Sequence, residues 1–355
     1  MVRKLTLRNW PNGFSIKNKT LINRGLKSDL LNSKQFKRFF IFRGMDKRFA
    51  VMDLGTNTFH LLIAEGEIHD FNEIVHQHIA VKLGEGGINK GLILSAAFDR
   101  GINTMKQFQQ DIILCQVQQV KAIATSALRN ASNGQDFIKK VKSETGIEIE
   151  IVDGDREASF IYAGVKASGL LSDQNSLIMD IGGGSVEFII GSHEQLLWKQ
   201  SFEIGAARLM ERFHHTDPIP PASIEALNIY LETTLAELFR AIEQIPVHDL
   251  IGSSGAFETF AELIENQKTD SFDLKKIKVY DFDEEELLTV TDQLIQSTHA
   301  EREGNKGIIP VRVDMIVVAS LITRYIMQKL DIKNVSLCTY SLKEGVLAEM
   351  MDDYL

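Results

Sequence analysis

From residue 49 onward the apolar positions of this chain follow two rhythms, short β-prone runs and longer stripes at helical spacing. Residues 176–191, SLIMDIGGGSVEFIIG, show the first rhythm most clearly. The β-prone residues before Asp180 and after Glu187 predict two strands joined by a tight glycine turn, with Asp180 at the end of the first. Further strands are predicted at 73–83, 120–125, 147–152, 249–251 and 335–338. The second rhythm predicts helices between them. Ser95 is expected to cap one, with Phe98, Ile102, Met105, Phe108 and Ile112 on its core stripe. Ser132 is expected to cap another, with Phe137, Ile138 and Val141 inward and a stop at Gly146. Asp155 is expected to cap a third, with Ile161, Tyr162 and Val165 inward and Glu157 in the first turn, off that stripe. After Pro218, Pro220 and Pro221 a long helix is predicted to run to about residue 244, with Ile224, Leu227, Leu231, Leu235, Leu238 and Ile242 as its core face. A solvated helix starting in 281–286, a buried one at 315–327 and a last one from about 341 complete the pattern.

The turn in 176–191 carries the first hint of chemistry. Three consecutive glycines, Gly182, Gly183 and Gly184, remove every Cβ, so a ligand can approach bare N–H groups, and concave arrays of such groups bind anions. Residues 49–64, FAVMDLGTNTFHLLIA, repeat the arrangement at an offset of 127, matching Asp53 to Asp180, Gly55 to Gly182 and Thr58 to Ser185. Turn chemistry repeated at one offset indicates an internal duplication, and a cleft between the two copies is where a ligand is expected. A third glycine turn, Gly252-Ser253-Ser254-Gly255, lies between a predicted strand and helix and is a further candidate anion nest.

The paired turns DLGTNT and DIGGGS resemble the two phosphate loops of the actin, sugar kinase and Hsp70 superfamily. Two further stretches narrow the resemblance: IATSALRNASN at 123–133 and IEIVDGDREASFIYAGV at 149–165. Together, with YSLKEGVLAE near the end, they are similar to the exopolyphosphatase and guanosine-pentaphosphate phosphohydrolase family (Ppx/GppA), over about residues 49–348. The resemblance implies an α/β fold of two ribonuclease-H-like (actin-like ATPase) domains with the active cleft between them, assigned here to residues 45–168 and 169–355, with the last helix crossing back to the first domain.

It also implies roles. Glu157 is expected to orient or deprotonate the attacking water, and Arg129 to reach the transferred phosphate. Phosphate contacts are expected from Gly55, Thr56, Asn57, Thr58, Lys82, Ser126, Gly182, Gly183, Gly184, Ser185, Arg208, Gly252, Ser253, Ser254 and Gly255. Asp53, Asp180 and Glu187 are the candidates to hold Mg²⁺, a cation that takes few carboxylates and keeps much of its water. Arg156 and Ser159 depart from the family pattern, which bears on rate and substrate preference. A helix N-terminus favours an anionic Glu, so Glu157 is expected to have a lowered pKa and to serve mainly in positioning water. His60, His76, His78, His214 and His215 show no metal-ligand spacing and are read as surface or hairpin residues.

Charge is distributed unevenly. The chain of 355 residues has a net charge of −9, but residues 1–44 hold eleven Lys and Arg against the single acid Asp29, which leaves nineteen net negative charges on the remainder. The basic stretch is expected to be poorly ordered, either an arm for an acidic partner or an extension upstream of a start at Met45. No apolar run reaches the roughly 20 residues needed to span a bilayer. Cys115 and Cys338 are far apart and suit a reducing cytoplasm. The leading expectation is therefore a cytoplasmic, Mg²⁺-dependent hydrolase that removes the terminal phosphate of inorganic polyphosphate. Guanosine pentaphosphate is the alternative substrate, and a non-catalytic nucleotide sensor or an ATP-dependent kinase are the contrasting classes. A homodimer is open, and neither a membrane nor a nucleic acid is an expected partner of the folded part. A broad basic surface for a long polyanion is not expected, so contact should be confined to the last few phosphates.

Overall fold

The structure, a computed structural model, describes residues 47–67, 70–269 and 272–352. The basic stretch 1–44 lies outside them. Among the described residues eleven strands form two sheets. In the first, β1 (Arg48–Leu54), β2 (Thr58–Glu67) and β3 (Asp70–Ala80) make an antiparallel meander, and β4 (Gln119–Ala124) and β5 (Ile149–Ile151) add in parallel beyond β1, in the order β3-β2-β1-β4-β5. The second sheet repeats this plan. Its meander is β6 (Ser176–Ile181), β7 (Val186–Gly191) and β8 (Leu196–Phe202), followed by parallel β9 (Asp249–Ser253) and β11 (Val335–Cys338), with β10 (Val279–Phe282) antiparallel at the edge. The duplication read from the two turns thus extends to five strands on each side.

Two helices lie between the sheets: α4 (Gly154–Ser168) and the final α12 (Leu342–Asp352) pack on each other, α4 also on β7 and β8, and α12 also on β1 and β2. Around them Phe49, Val51, Leu62, Ile123, Ile161, Ile178, Ile189, Ile251 and Val346 form one apolar layer drawn from both sheets. The outer face of the first sheet packs Ala50, Met52 and Leu54 against α1 (Ser95–Leu114) and α3 (Gly134–Thr145), and the outer face of the second carries the largest core.

Strand periodicity then decides where the polar residues go. Residues on alternate positions share a face. Asp53 follows Phe49 and Val51 towards the central layer, Asp180 follows Ile178, Glu187 precedes Ile189, and His60 precedes Leu62. Both sheets therefore aim their carboxylates into the space between them.

Several local expectations shift. Ser95 opens α1 as a helical residue rather than its cap, and α3 begins at Gly134 behind Asn133 instead of at Ser132; neither start has a side-chain cap. Helix α4 is capped by Asp153, whose carboxylate accepts from the Arg156 N–H at 2.7 Å, so Asp155 is already inside the first turn. The long helix breaks at Leu235 into α6 (Pro221–Thr234) and α7 (Ala236–Gln244). The acidic run 281–286 is divided: Asp281 and Phe282 belong to β10, where Phe282 is buried, and Asp283 caps α9 (Glu284–Gln296). Among the described residues no helix is long and apolar enough to cross a membrane.

Candidate active site

The two glycine turns are held from behind in the same way. In the second, Gly205, Ala206 and Ala207 at the start of α5 (Ala206–Phe213) donate to the carbonyls of Gly184, Gly182 and Gly183 at 3.2, 2.9 and 3.0 Å. In the first, Gly84 and Lys82 donate to the carbonyls of Thr56 and Asn57 at 3.0 and 2.7 Å. With these carbonyls engaged, the N–H groups of Thr56, Asn57, Gly183 and Gly184 have no protein partner among the described residues. Two sets of backbone donors are thus left free at the turns, an arrangement that binds anions. The turns approach so closely that a Cβ on Gly183 would stand 2.0 Å from the Asn57 side chain, and one on Gly184 would stand 2.5 Å from Ser126 Oγ. Glycine here is a requirement of the approach itself.

They line a cavity of about 660 Å³. Asp53, Gly55, Thr56, Asn57, Thr58, Ser126, Glu157, Asp180, Gly182, Gly183, Gly184, Ser185, Glu187, Ser254 and Gly255 all reach it, which brings together most of the residues expected from the sequence. Five do not line it. The backbone of Lys82 supports the first turn, and Gly252 leaves room for the Phe257 ring. Ser253 donates to Asp180 at 3.0 Å and so fixes that carboxylate. Arg208 spends its guanidinium on the Gly184 carbonyl (3.1 Å), Glu203 (2.6 Å) and the Ile88 carbonyl (3.2 Å). Arg129 donates from one nitrogen to Glu157 (2.9 Å) and the Val152 carbonyl (3.1 Å) and from the other to Glu203 (3.1 Å). It holds the expected catalytic carboxylate.

The acids in the cleft are far from their ordinary behaviour. Burial pushes the Asp53 carboxyl up to about 7, against the opposing pull of the Lys343 ammonium. Burial likewise pushes Glu157 up to about 7 although Arg129 stabilises its anion. This reverses the lowered pKa expected at a helix start: Glu157 is in the first turn of α4, but desolvation outweighs the helix terminus. Burial raises Asp180 as well, and Glu187 strongly, even though Ser201 donates to Glu187 at 2.6 Å. Asp53, Glu157, Asp180 and Glu187 are buried carboxyl groups in one cleft, and carboxylate oxygens are the ligands that a hard divalent cation takes. Among the described residues no group of three or more metal-binding side chains is preassembled. A cation that takes one or two carboxylates and keeps its waters fits that arrangement.

Other lining residues were not singled out in the sequence. Lys343, almost fully buried, pairs with Glu344 at 3.0 Å, and Arg312 donates to Glu258 at 2.6 Å; all four line the cleft. Of the two readings, surface or hairpin, His60 takes the second: it lies on β2 paired with β3 and lines the cleft, its buried Nδ1 has no partner among the described residues, and burial together with Lys343 lowers its pKa. His76 and His78 line the cleft too. The signal for His60 was the strand parity it shares with Leu62.

Facing backbone cradles and buried carboxylates between two repeated α/β sheets fit a phosphoanhydride hydrolase, and the relatives of this chain are of that class. The chain belongs to the Ppx/GppA phosphatase family, whose model matches residues 62–354. It is similar to an exopolyphosphatase of known structure from Cytophaga hutchinsonii, with 41% identity and a TM-score of 0.84 over 86% of this chain and 98% of that one. Exopolyphosphatase 1 of Mycobacterium tuberculosis is 27% identical over 86% of this chain and 88% of its own. Guanosine-5'-triphosphate,3'-diphosphate pyrophosphatase of Photobacterium profundum is 25% identical over 85% of this chain but only 59% of its own.

Proposed function

We propose that this protein is an exopolyphosphatase, removing the terminal phosphate of inorganic polyphosphate as orthophosphate. The observation that carries the reading is the pair of facing turns whose carbonyls are tied from behind, so that backbone N–H groups on both sides can hold one phosphate beside Glu157. Phosphoryl transfer needs in-line geometry and neutralised oxygens more than covalent catalysis, and this cleft is built for those two needs. Glu157 orients a water for attack on the terminal phosphorus and accepts its proton; the bridging P–O bond breaks and the shortened chain leaves. Arg129 keeps Glu157 aimed. Asp53 and Asp180, with Glu187 beside them, would hold Mg²⁺, which supplies charge neutralisation at the phosphate oxygens. Residues 45–168 and 169–355 act in this reading as two domains whose closure excludes bulk water. A cytoplasmic setting suits the free Cys115 and Cys338.

Hydrolysis of guanosine pentaphosphate is the second reading. It is favoured by Phe71 and Tyr340, whose rings lie 5.8 Å apart and both line the same cleft, since aromatic lining of this kind suits a nucleobase. The test is orthophosphate release from long-chain polyphosphate, guanosine pentaphosphate and ATP, with Mg²⁺ and with the metal chelated. Metal-dependent release from polyphosphate, lost in Glu157→Gln, is the expected result. Release only from guanosine pentaphosphate would select the second reading, and binding without release from any substrate would replace both with a sensor.

A further inference from the structure

We propose that Glu203 is a positioning residue of the active centre: its carboxylate aims Arg129, and through Arg129 it holds Glu157 in place. The inference rests on the reading of Glu157 given above. Glu203 lies between β8 and α5, on the strap whose backbone ties the second glycine turn. Across the cleft stands α2 (Ser126–Asn130), one short helix of five residues, and two of its side chains turn to this one carboxylate. Ser126 Oγ donates to Oε2 at 3.0 Å and Arg129 donates to Oε1 at 3.1 Å, while Asn130 donates to Ser126 Oγ at 3.3 Å. A helix this short does not hold its own conformation, so the partner across the cleft matters to its geometry.

Glu203 is itself fixed independently of Arg129. Arg208 donates to Oε2 at 2.6 Å and to the Gly184 carbonyl at 3.1 Å, and so locks the carboxylate to the second turn. The chain of contacts therefore runs from the second turn through Arg208, Glu203 and Arg129 to Glu157, with the last link at 2.9 Å. One nitrogen of Arg129 serves Glu203 while the other serves Glu157 and the Val152 carbonyl, so the planar fork cannot rotate without loosening both ends. Glu203 is 45% exposed against 17% for Arg129 and 8% for Glu157. Ion pairs this open contribute little to stability. What the pairing adds is alignment, because the expected catalytic carboxylate is then set by both sheets together.

A double-mutant cycle tests this, with wild type, Glu203→Gln, Arg129→Gln and the double variant, each assayed for orthophosphate release from polyphosphate and for melting temperature. Glu203→Gln is expected to lower kcat by about tenfold or more while KM stays within about twofold, as for loss of alignment alone. In the Arg129→Gln background the same change is expected to cost less than about twofold more, since the two residues act as one unit. Glu203→Asp should recover part of kcat. An unchanged or raised kcat in Glu203→Gln would overturn the proposal and make Glu203 a competitor of phosphate for Arg129. Equal losses in both backgrounds, or a loss that tracks a lowered melting temperature, would overturn it too. Absence of release by the wild type would instead sink the hydrolase reading and is recognisable as such.

Discussion

Arg129 stands 2.9 Å from Glu157 across a nearly buried ion pair, yet burial still wins and the Glu157 carboxyl is pushed up to about 7. Such a group can take a proton from water near neutral pH, where an ordinary exposed Glu would be a weak base. Glu157→Gln keeps the shape and the hydrogen bond from Arg129 but cannot take the proton. We expect it to lower kcat by about 10²–10⁴-fold with little change in melting temperature, measured as steady-state phosphate release. A loss below tenfold would remove Glu157 from the reaction.

Lys343 is the cation that sequence reading passed over. It is buried beside Glu344 (3.0 Å), and Glu344 also accepts from the Ser341 N–H at 2.8 Å. Burial alone would lower the Lys343 pKa, but Glu344, Glu258 and Asp53 outweigh it and keep the ammonium charged. Lys343→Met leaves the Glu344 carboxylate buried without its cation, and breaking such a pair costs about 3–5 kcal/mol. Denaturant unfolding of Lys343→Met should show that loss. Lys343→Met with Glu344→Leu should regain most of the stability while phosphate release stays impaired, because the cleft has lost the charge that opposes Asp53. Activity restored together with stability would make Lys343 a structural partner only.

How much of this was legible before folding depended on whether a residue's role is local. The turns at 53–58 and 180–185 were readable because the chemistry and its repeat lie within a few residues of one another. The sheet plan followed from the same duplication. His60 was readable in principle, since it shares the parity of Leu62 and Ala64, both of which face the central layer. Glu203, Arg312 and Lys343 were not, because nothing near them in sequence names their partners: Lys343 sits 290 residues from Asp53, and Glu203 meets Arg129 only through the packing of two sheets. Arg129 shows the same limit. Its place after a strand was readable, but its pairing with Glu203, 74 residues away in the chain, was not.

Arg302 should govern acid stability. It is buried and spends its guanidinium on the Val313 carbonyl (2.7 Å), the Ser297 carbonyl (2.7 Å) and both oxygens of Asp217 (3.0 Å each). Burial raises the Asp217 pKa, but hydrogen bonds from Arg302 and His214 outweigh it, and the net shift is downward. A carboxyl with a depressed folded pKa adds stability that is present above its unfolded value of about 3.9 and is lost as pH falls through the folded value. Asp217→Asn is therefore expected to melt well below wild type at pH 7 and to converge with it as the pH drops below about 4. Parallel melting curves of the two proteins across that range would show that the pair does not set the acid limb.

The crossing of α4 and α12 ties the site to the core through a close approach of two glycines. A Cβ on Gly345 would stand 1.8 Å from the Phe160 carbonyl oxygen, and one on Gly164 would stand 2.1 Å from that of Ser341. In both cases the obstacle is backbone, which no side-chain rotation relieves. Helix α4 carries Glu157 and helix α12 carries Lys343, so separating them misplaces both groups at once. Gly345→Ala adds one methyl group, and overpacking of this kind costs about 1–3 kcal/mol or more where the neighbour cannot yield. The expected outcome is a melting temperature lower by several degrees together with a fall in kcat in the protein that remains folded, assayed well below its transition. If Gly345→Ala lost stability but kept full kcat, the helix crossing would be a packing feature and the alignment of Glu157 would depend on Arg129 alone.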